Sequence, residues 1–314
     1  MPINADKPHQ WKEDVSASVD MFNTWFMHAA PAAFRETRMK VTGEVEQHLL
    51  SSSDGRAISA SYLRANPQAL ATLRMATCPP LARERLSGLA GVSKTVVESL
   101  EAGKIPRIQE TALHTQLEKV AGILVKLMDD DLFPWLTDGS TPSETQRYRA
   151  ATILADRCCT AVANPIVKNA QEARQLRLVK DYLEVRGYKH SESVSDPKSM
   201  VAGTFSFRMN VPATNQNGQV NIPVDIVIQP KSIQPDRMPI LIEAKSAGDF
   251  TNVNKRRKEE AQKVHQIRAT YGPEVPFYLF LCGYFDAGYL GYSASEGIDW
   301  IWEHRLTDLD GVGL

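Results

Sequence analysis

The chain has 314 residues, 43% of them hydrophobic, and a formal net charge of −1. That length buries a substantial core and leaves room for two domains, while the even charge excludes the overall basic field of a protein that coats DNA indiscriminately, so any DNA contact belongs to a local cleft. No apolar run is long enough to span a membrane, and the amino terminus lacks the charged start and apolar core of a signal peptide.

Residues 1–160 read as almost entirely helical. Val15, Val19, Phe22 and Phe26 form an apolar stripe, and clusters of Gly, Pro and Ser at 51–55, 79–80 and 138–143 punctuate the region. Within it, residues 83–103 resemble a helix-turn-helix of the phage-repressor kind: Gly91 permits the tight turn, Ser93 caps the second helix, and Val96, Val97 and Leu100 pack it. In that geometry Lys94 and Thr95, at the start of the second helix, face the major groove and are candidate DNA-binding residues. Plain helical hairpins with glycine turns use the same pattern. Cys78, Cys158, Cys159 and Cys282 have no metal-ligand spacing and the vicinal pair is no disulfide framework, so a reducing cytoplasm is the expected compartment.

From about residue 161 the pattern changes. Asn164-Pro165 is a cap and first-turn signature, and Gly187 closes the segment. Ile166, Ala173, Leu176, Val179 and Leu183 form its apolar stripe, and Glu172 lies on that stripe, where a carboxylate is costly unless compensated. Strand-like alternation begins only after Gly203. In 220–228, Ile222, Val224, Ile226 and Ile228 are expected on one face and Asp225 on the other; in 239–245, Leu241, Glu243 and Lys245 oppose Ile240, Ile242 and Ala244. The connection at 229–238, with Pro230, Pro235 and Asp236, suits a turn between antiparallel neighbours. A helix to about Tyr271 follows, opening on the basic run Asn254-Lys255-Arg256-Arg257-Lys258, which is diluted by Glu259-Glu260. Lys255, Arg256, Arg257 and Lys258 are candidate phosphate contacts, since most protein–DNA contacts go to the sugar-phosphate backbone; Gln262 and Lys263 are weaker candidates.

If those two strands pair, Asp225 and Glu243 meet at the sheet end with Lys245 beside them. Magnesium takes hard oxygen ligands, here two carboxylates and the carbonyl of Ala244. Such a metal polarises a phosphoryl oxygen and acidifies water, and Lys245 would orient or deprotonate that water and offset transition-state charge. The competing reading is a strand carrying Glu-x-Lys on a solvated face.

Asp225, Glu243 and Lys245, with Pro223 nearby, resemble the PD-(D/E)XK nuclease core of helix, hairpin, catalytic strand, helix and strand. More narrowly, residues 15–26, 245–260 and 297–305 resemble the XamI-type family of type II restriction endonucleases. The proline stands two residues before Asp225 instead of beside it, a position that varies widely in such nucleases. The resemblance implies an α/β fold, a restriction-endonuclease-like mixed sheet flanked by helices, over 161–314, with a mostly helical domain over 1–160. It also implies a helical glutamate completing the metal cluster, for which Glu172 is the candidate; the alternative is a boundary Glu reaching water or paired with Lys168 or Arg177. The implied enzyme is a prokaryotic, Mg2+-dependent endonuclease cutting both strands of duplex DNA at a palindrome such as GTCGAC, leaving 5′-phosphate ends. A homodimer and a cognate DNA methyltransferase go with it. The rival readings are a structure-specific repair or recombination nuclease on the same core, and a non-catalytic DNA-binding regulator built on 83–103.

Overall fold

The structure is a computed structural model that describes residues 2–161, 163–192, 194, 196–215, 218–232 and 237–314, with the backbone alone at 163, 164, 215, 252 and 254–256. The turn residues Pro235 and Asp236 and the Asn164 side chain therefore lie outside the described residues. Contacts group the chain into two compact units: Met1–Pro31 with Val167–Leu314, and Ala32–Ile166. The first thirty-one residues thus group with the carboxyl-terminal unit, whereas helical pattern alone joins them to the helical region. Helix α1 (Trp11–Ser51) contributes to both.

The second unit is helical. It holds α2 (Ala60–Ala65), α3 (Ala69–Met75), α4 (Arg83–Ala90), α5 (Lys94–Glu101), α6 (Glu110–Lys126), α7 (Pro134–Asp138) and α8 (Glu144–Ala161). Leu63, Leu73, Leu86, Val97 and Leu124 are in one of its clusters and Val45, Trp135 and Leu154 in another. Each such side chain contributes about 1.5–3 kcal/mol on burial. Between α4 and α5, Gly91 takes a left-handed φ of +62° and the Ser93 hydroxyl accepts from the Thr95 N–H at 3.2 Å. Most side chains cost about 1–2 kcal/mol in that conformation, which is why glycine ends α4.

The first unit is a six-stranded mixed sheet between helical layers, as the α/β nuclease-like pattern predicts. After α9 (Ala163–Val185) come β1 (Lys189–His190), β2 (Thr204–Asn215), β3 (Gly218–Gln229), β4 (Ile240–Ala247), α10 (Phe250–Tyr271), β5 (Phe277–Gly283), α11 (Ala287–Ser295), β6 (Asp299–Trp302) and a 3-10 helix Glu303–Val312. The strands lie in the order β1-β2-β3-β4-β5-β6, antiparallel from β2 to β4 and parallel elsewhere. Leu241, Leu279, Leu281, Trp300 and Trp302 pack with Val264 and Ile267 of α10, Leu290 of α11 and Trp11 and Val15 of α1. Ile240, Ile242, Phe280 and Ile301 pack with Leu176, Val179 and Leu183 of α9 and with Leu309. The amino-terminal segment is tied to β6 and to the end of β5: Asn4 Nδ2 donates to the Trp300 carbonyl at 2.8 Å, and the Gly283 N–H donates to Ser18 Oγ at 2.8 Å. Gly283 is at φ +102°, and a Cβ there would fall 2.0 Å from the Ala247 carbonyl oxygen, so β4 and β5 close only over glycine.

One expected face is corrected. Ile222 and Val224 pack in the cluster with Val227 and Leu241, whereas Ile226 and Ile228 pack in the other. The hairpin turns over at Arg208, a non-glycine residue at φ +52° standing between the rungs Phe207↔Ile226 and Met209↔Val224. Period-two alternation assumes extended backbone throughout, and one left-handed residue breaks it.

Among the described residues no helix is long and apolar enough to cross a membrane. The cysteines are all free: Cys78 is exposed and Cys282 buried. Burial pushes the Cys158 thiol up to about 11, and burial and Glu303 push Cys282 up as well. Because the thiolate is the nucleophile, brief iodoacetamide labelling of native protein read by mass spectrometry is expected to modify Cys78 first; equally fast labelling of Cys282 would contradict the packing.

Candidate active site

The site forms where the β3–β4 ladder ends. Its rungs are Ile228↔Ile240, Val227↔Leu241 and Ile226↔Ile242. At the next position of that register Asp225 faces Glu243, and the Asp225 carboxylate takes up an open backbone donor: Oδ2 accepts from the Ala244 N–H at 2.8 Å. The N–H and C=O of one strand residue lie along the same edge. Hence the Ala244 carbonyl shares the edge that Asp225 occupies.

Glu243 is 9% exposed and lies among cations. Lys245 Nζ donates to Glu243 Oε1 at 3.1 Å, and Lys263 Nζ, from α10, donates to Oε2. Lys245 Nζ is also 3.6 Å from Glu260 Oε1, and the other Glu260 oxygen accepts from the Tyr289 hydroxyl of α11. Three carboxylates, of Asp225, Glu243 and Glu260, thus stand against the two ammonium groups of Lys245 and Lys263. Burial, then the Glu243 charge, push the Asp225 carboxyl above its ordinary range, with the Ala244 N–H and the lysines pulling the other way. Burial likewise raises Glu260, against Lys245 and Tyr289. Burial works to lower Lys245, but Glu243 and Glu260 outweigh it and hold the ammonium above its usual value. A carboxylate strained by burial and by a like charge is the environment that a divalent cation relieves.

Glu172 is engaged by an arginine of β2. Its Oε1 accepts from Arg208 Nε at 3.0 Å and from Nη2 at 2.8 Å, and among the described residues no group of three His, Cys, Asp or Glu is placed to hold a metal. The buried face of α9 is turned from the expected stripe: Ala173 is exposed, while Gln171 and Gln175 are each 1% exposed. Gln175 Nε2 donates to the Lys245 carbonyl at 3.3 Å and the Phe280 carbonyl at 3.5 Å, so α9 sends an amide to the β4–β5 pair. Gln171 and Arg174 engage the buried Glu303. Amides are legible as polar but not as buried, since a satisfied glutamine is tolerated inside.

Of the basic residues on α10, Lys258 is exposed, and Arg257 is half-buried with its guanidinium 4.9 Å from the Tyr292 ring centroid. The Lys255 and Arg256 side chains lie outside the described residues. In the helical unit Lys94 is exposed and ion-paired with Glu84 at 3.1 Å and Glu98 at 3.5 Å, and Thr95 is exposed on the first turn of α5. Glu260 and Tyr289 were not read from the sequence as site residues. The signal for Glu260 was its spacing from Lys263, Val264 and Ile267, which puts all four on one face of α10; Tyr289 gave none.

A mixed sheet that opens beside a carboxylate pair and a lysine defines a nuclease-like architecture, and residues 53–302 match the family described as XamI restriction endonuclease. The chain belongs to that family and is a restriction endonuclease. It is 53% identical over 314 residues to the type II restriction enzyme SalI of Streptomyces albus G, covering 99% of each chain. It is 28% identical over 191 residues to the type II restriction enzyme XamI of Xanthomonas campestris pv. amaranthicola, covering 60% of this chain and 62% of the relative. No solved structure is a significant match.

Proposed function

We propose that this enzyme hydrolyses both strands of duplex DNA within a short palindrome, GTCGAC by the family resemblance, in a Mg2+-dependent reaction that leaves 5′-phosphate and 3′-hydroxyl ends. The observation that carries the reading is the convergence of Asp225, Glu243, the Ala244 backbone and Lys245 at the end of the β3–β4 ladder. Asp225, Glu243 and the Ala244 carbonyl would hold the metal, a hard oxygen donor set suited to magnesium. The fit is supported by the raised Asp225 carboxyl and by the lysine ammonium groups on Glu243, which stand where positive charge is wanted. Bound there, magnesium supplies Lewis-acid polarisation of the phosphodiester and acidifies water.

The remaining work falls to the chain itself. Lys245 orients the attacking water and offsets charge on the pentavalent transition state. Lys258, with Lys255, Arg256 and Arg257, holds backbone phosphates along α10. Lys94 and Thr95 read base edges from the first turn of α5. Glu172, engaged by Arg208, is left out of the ligand set. A palindromic target calls for a two-fold homodimer acting in the cytoplasm beside a cognate methyltransferase.

Incubation with a plasmid carrying one GTCGAC site, plus Mg2+, followed by end sequencing tests this. A single cut inside the hexamer with phosphorylated 5′ ends is expected, and none with EDTA. A smear, or cutting confined to branched DNA, would overturn it in favour of a structure-specific nuclease.

A further inference from the structure

We infer that Glu260, steadied by Tyr289, is the positioning residue for Lys245, keeping its ammonium at the reacting phosphate once a cation occupies Glu243. The inference rests on the site reading proposed above. It starts from a conflict: Glu243 is assigned to a metal, yet Lys245 and Lys263 already bond both of its oxygens. With a divalent cation held there, both ammonium groups would be repelled from that carboxylate and Lys245 would lose its 3.1 Å partner. A lysine has a flexible four-carbon stem and no fixed fork, so an ammonium without a partner does not keep one position.

Glu260 resolves the conflict. Its Oε1 stands 3.6 Å from Lys245 Nζ, an ion pair just beyond direct hydrogen-bond reach. A shift of under about 1 Å brings the pair to the length of a charge-assisted bond. The other oxygen, Oε2, is fixed by the Tyr289 hydroxyl. Tyr289 is 1% exposed and its ring lies 4.9 Å from that of Phe285, so the phenol is rigidly held. Glu260 itself is 7% exposed, and an ionised carboxylate at such depth persists only with compensation. Lys245 and Tyr289 are that compensation, and with them both Glu260 oxygens are engaged. Tyr289, Glu260 and Lys245 therefore form a chain running from the core under α11 to the catalytic strand. One end is anchored; the other carries the charge that the reaction needs.

The test is single-turnover cleavage of a labelled GTCGAC duplex by Glu260→Gln, Tyr289→Phe and Asp225→Ala, as a function of Mg2+, with duplex affinity measured alongside. Glu260→Gln is expected to lower the rate at saturating Mg2+ by about 100-fold, with half-saturating Mg2+ and duplex affinity within about threefold of wild type. Tyr289→Phe leaves the carboxylate in place and frees its orientation, and is expected to lose on the order of 10-fold with the same split. A merely structural role would move thermal stability and leave the rate of the folded fraction intact. Wild-type rates in both variants would overturn the inference. So would a rise in half-saturating Mg2+ with the rate recovered at high Mg2+, because that identifies Glu260 as a ligand. The two readings fail separately: Asp225→Ala cleaving like wild type removes the site itself, whereas an inactive Asp225→Ala beside a fully active Glu260→Gln removes only the role of Glu260.

Discussion

Asp225→Asn is expected to lower the single-turnover cleavage rate by roughly 1000-fold or more, the scale lost when a group that assembles the reacting atoms is removed. The same variant is expected to be as stable as wild type at neutral pH, or more stable. Asparagine keeps an oxygen to accept the Ala244 N–H but removes a negative charge that is buried beside Glu243. The sign follows from the direction of the shift. A carboxyl raised on folding binds its proton more tightly in the folded state, so its ionisation costs stability as pH rises through the carboxylate range. The cost is absent below the unfolded value and complete above the folded one. The advantage of asparagine is therefore present at neutral pH and closes on acidification through that range. Urea denaturation at neutral and acidic pH measures it, and a variant clearly less stable than wild type at neutral pH would contradict the electrostatic account.

Glu243→Gln should abolish cleavage equally but change stability in the other direction. Glu243 is the shared counter-ion of Lys245 and Lys263, whose side chains are only 23% and 16% exposed. Gln leaves those ammonium groups without it, a loss of about 1–3 kcal/mol for charged hydrogen bonds of this kind. Lys245 retains Glu260, so Lys263 bears most of the loss. Two neighbouring acidic residues, alike in sequence, are thus expected to give the same loss of cutting and opposite shifts in denaturation midpoint. Shifts of the same sign would mean that the lysines do not depend on Glu243.

The sheet and its carboxylate pair were legible because strands announce themselves by alternation, and Ile240, Ile242, Glu243 and Lys245 alternate cleanly. Asp225 stands out in the sequence although the expected face is wrong for half its strand. Ile226 and Ile228 were grouped with Ile222 and Val224, and nothing in the residue types reveals that Arg208, on the partner strand, adopts a left-handed backbone. That conformation costs about 1 kcal/mol; ladder rungs on either side and the double hydrogen bond to Glu172 hold it. The buried face of α9 departs from the apolar stripe for a related reason. A stripe drawn through apolar residues alone rotates α9 away from Gln171 and Gln175, whose burial depends on hydrogen bonds to partners distant in sequence. In the sequence Glu260 reads as charge dilution in a basic run. Its meaning comes from Tyr289, 29 residues away, and no local pattern links the two. Helical pattern alone likewise joins the amino-terminal residues to the helical region, although Asn4 bonds to β6 and Ser18 to the end of β5.

The central claim is that Asp225 and Glu243 share one divalent ion at the end of the β3–β4 ladder. Anomalous diffraction from crystals of the enzyme with a GTCGAC duplex and Mn2+ measures this directly. The account predicts a peak at about 2.0–2.3 Å from oxygens of Asp225, Glu243 and the Ala244 carbonyl, with Lys263 withdrawn from Glu243 and Lys245 closed onto Glu260. A peak bound by other residues, or lysine ammonium groups still seated on Glu243 in a complex that cleaves when Mg2+ is supplied, would contradict it.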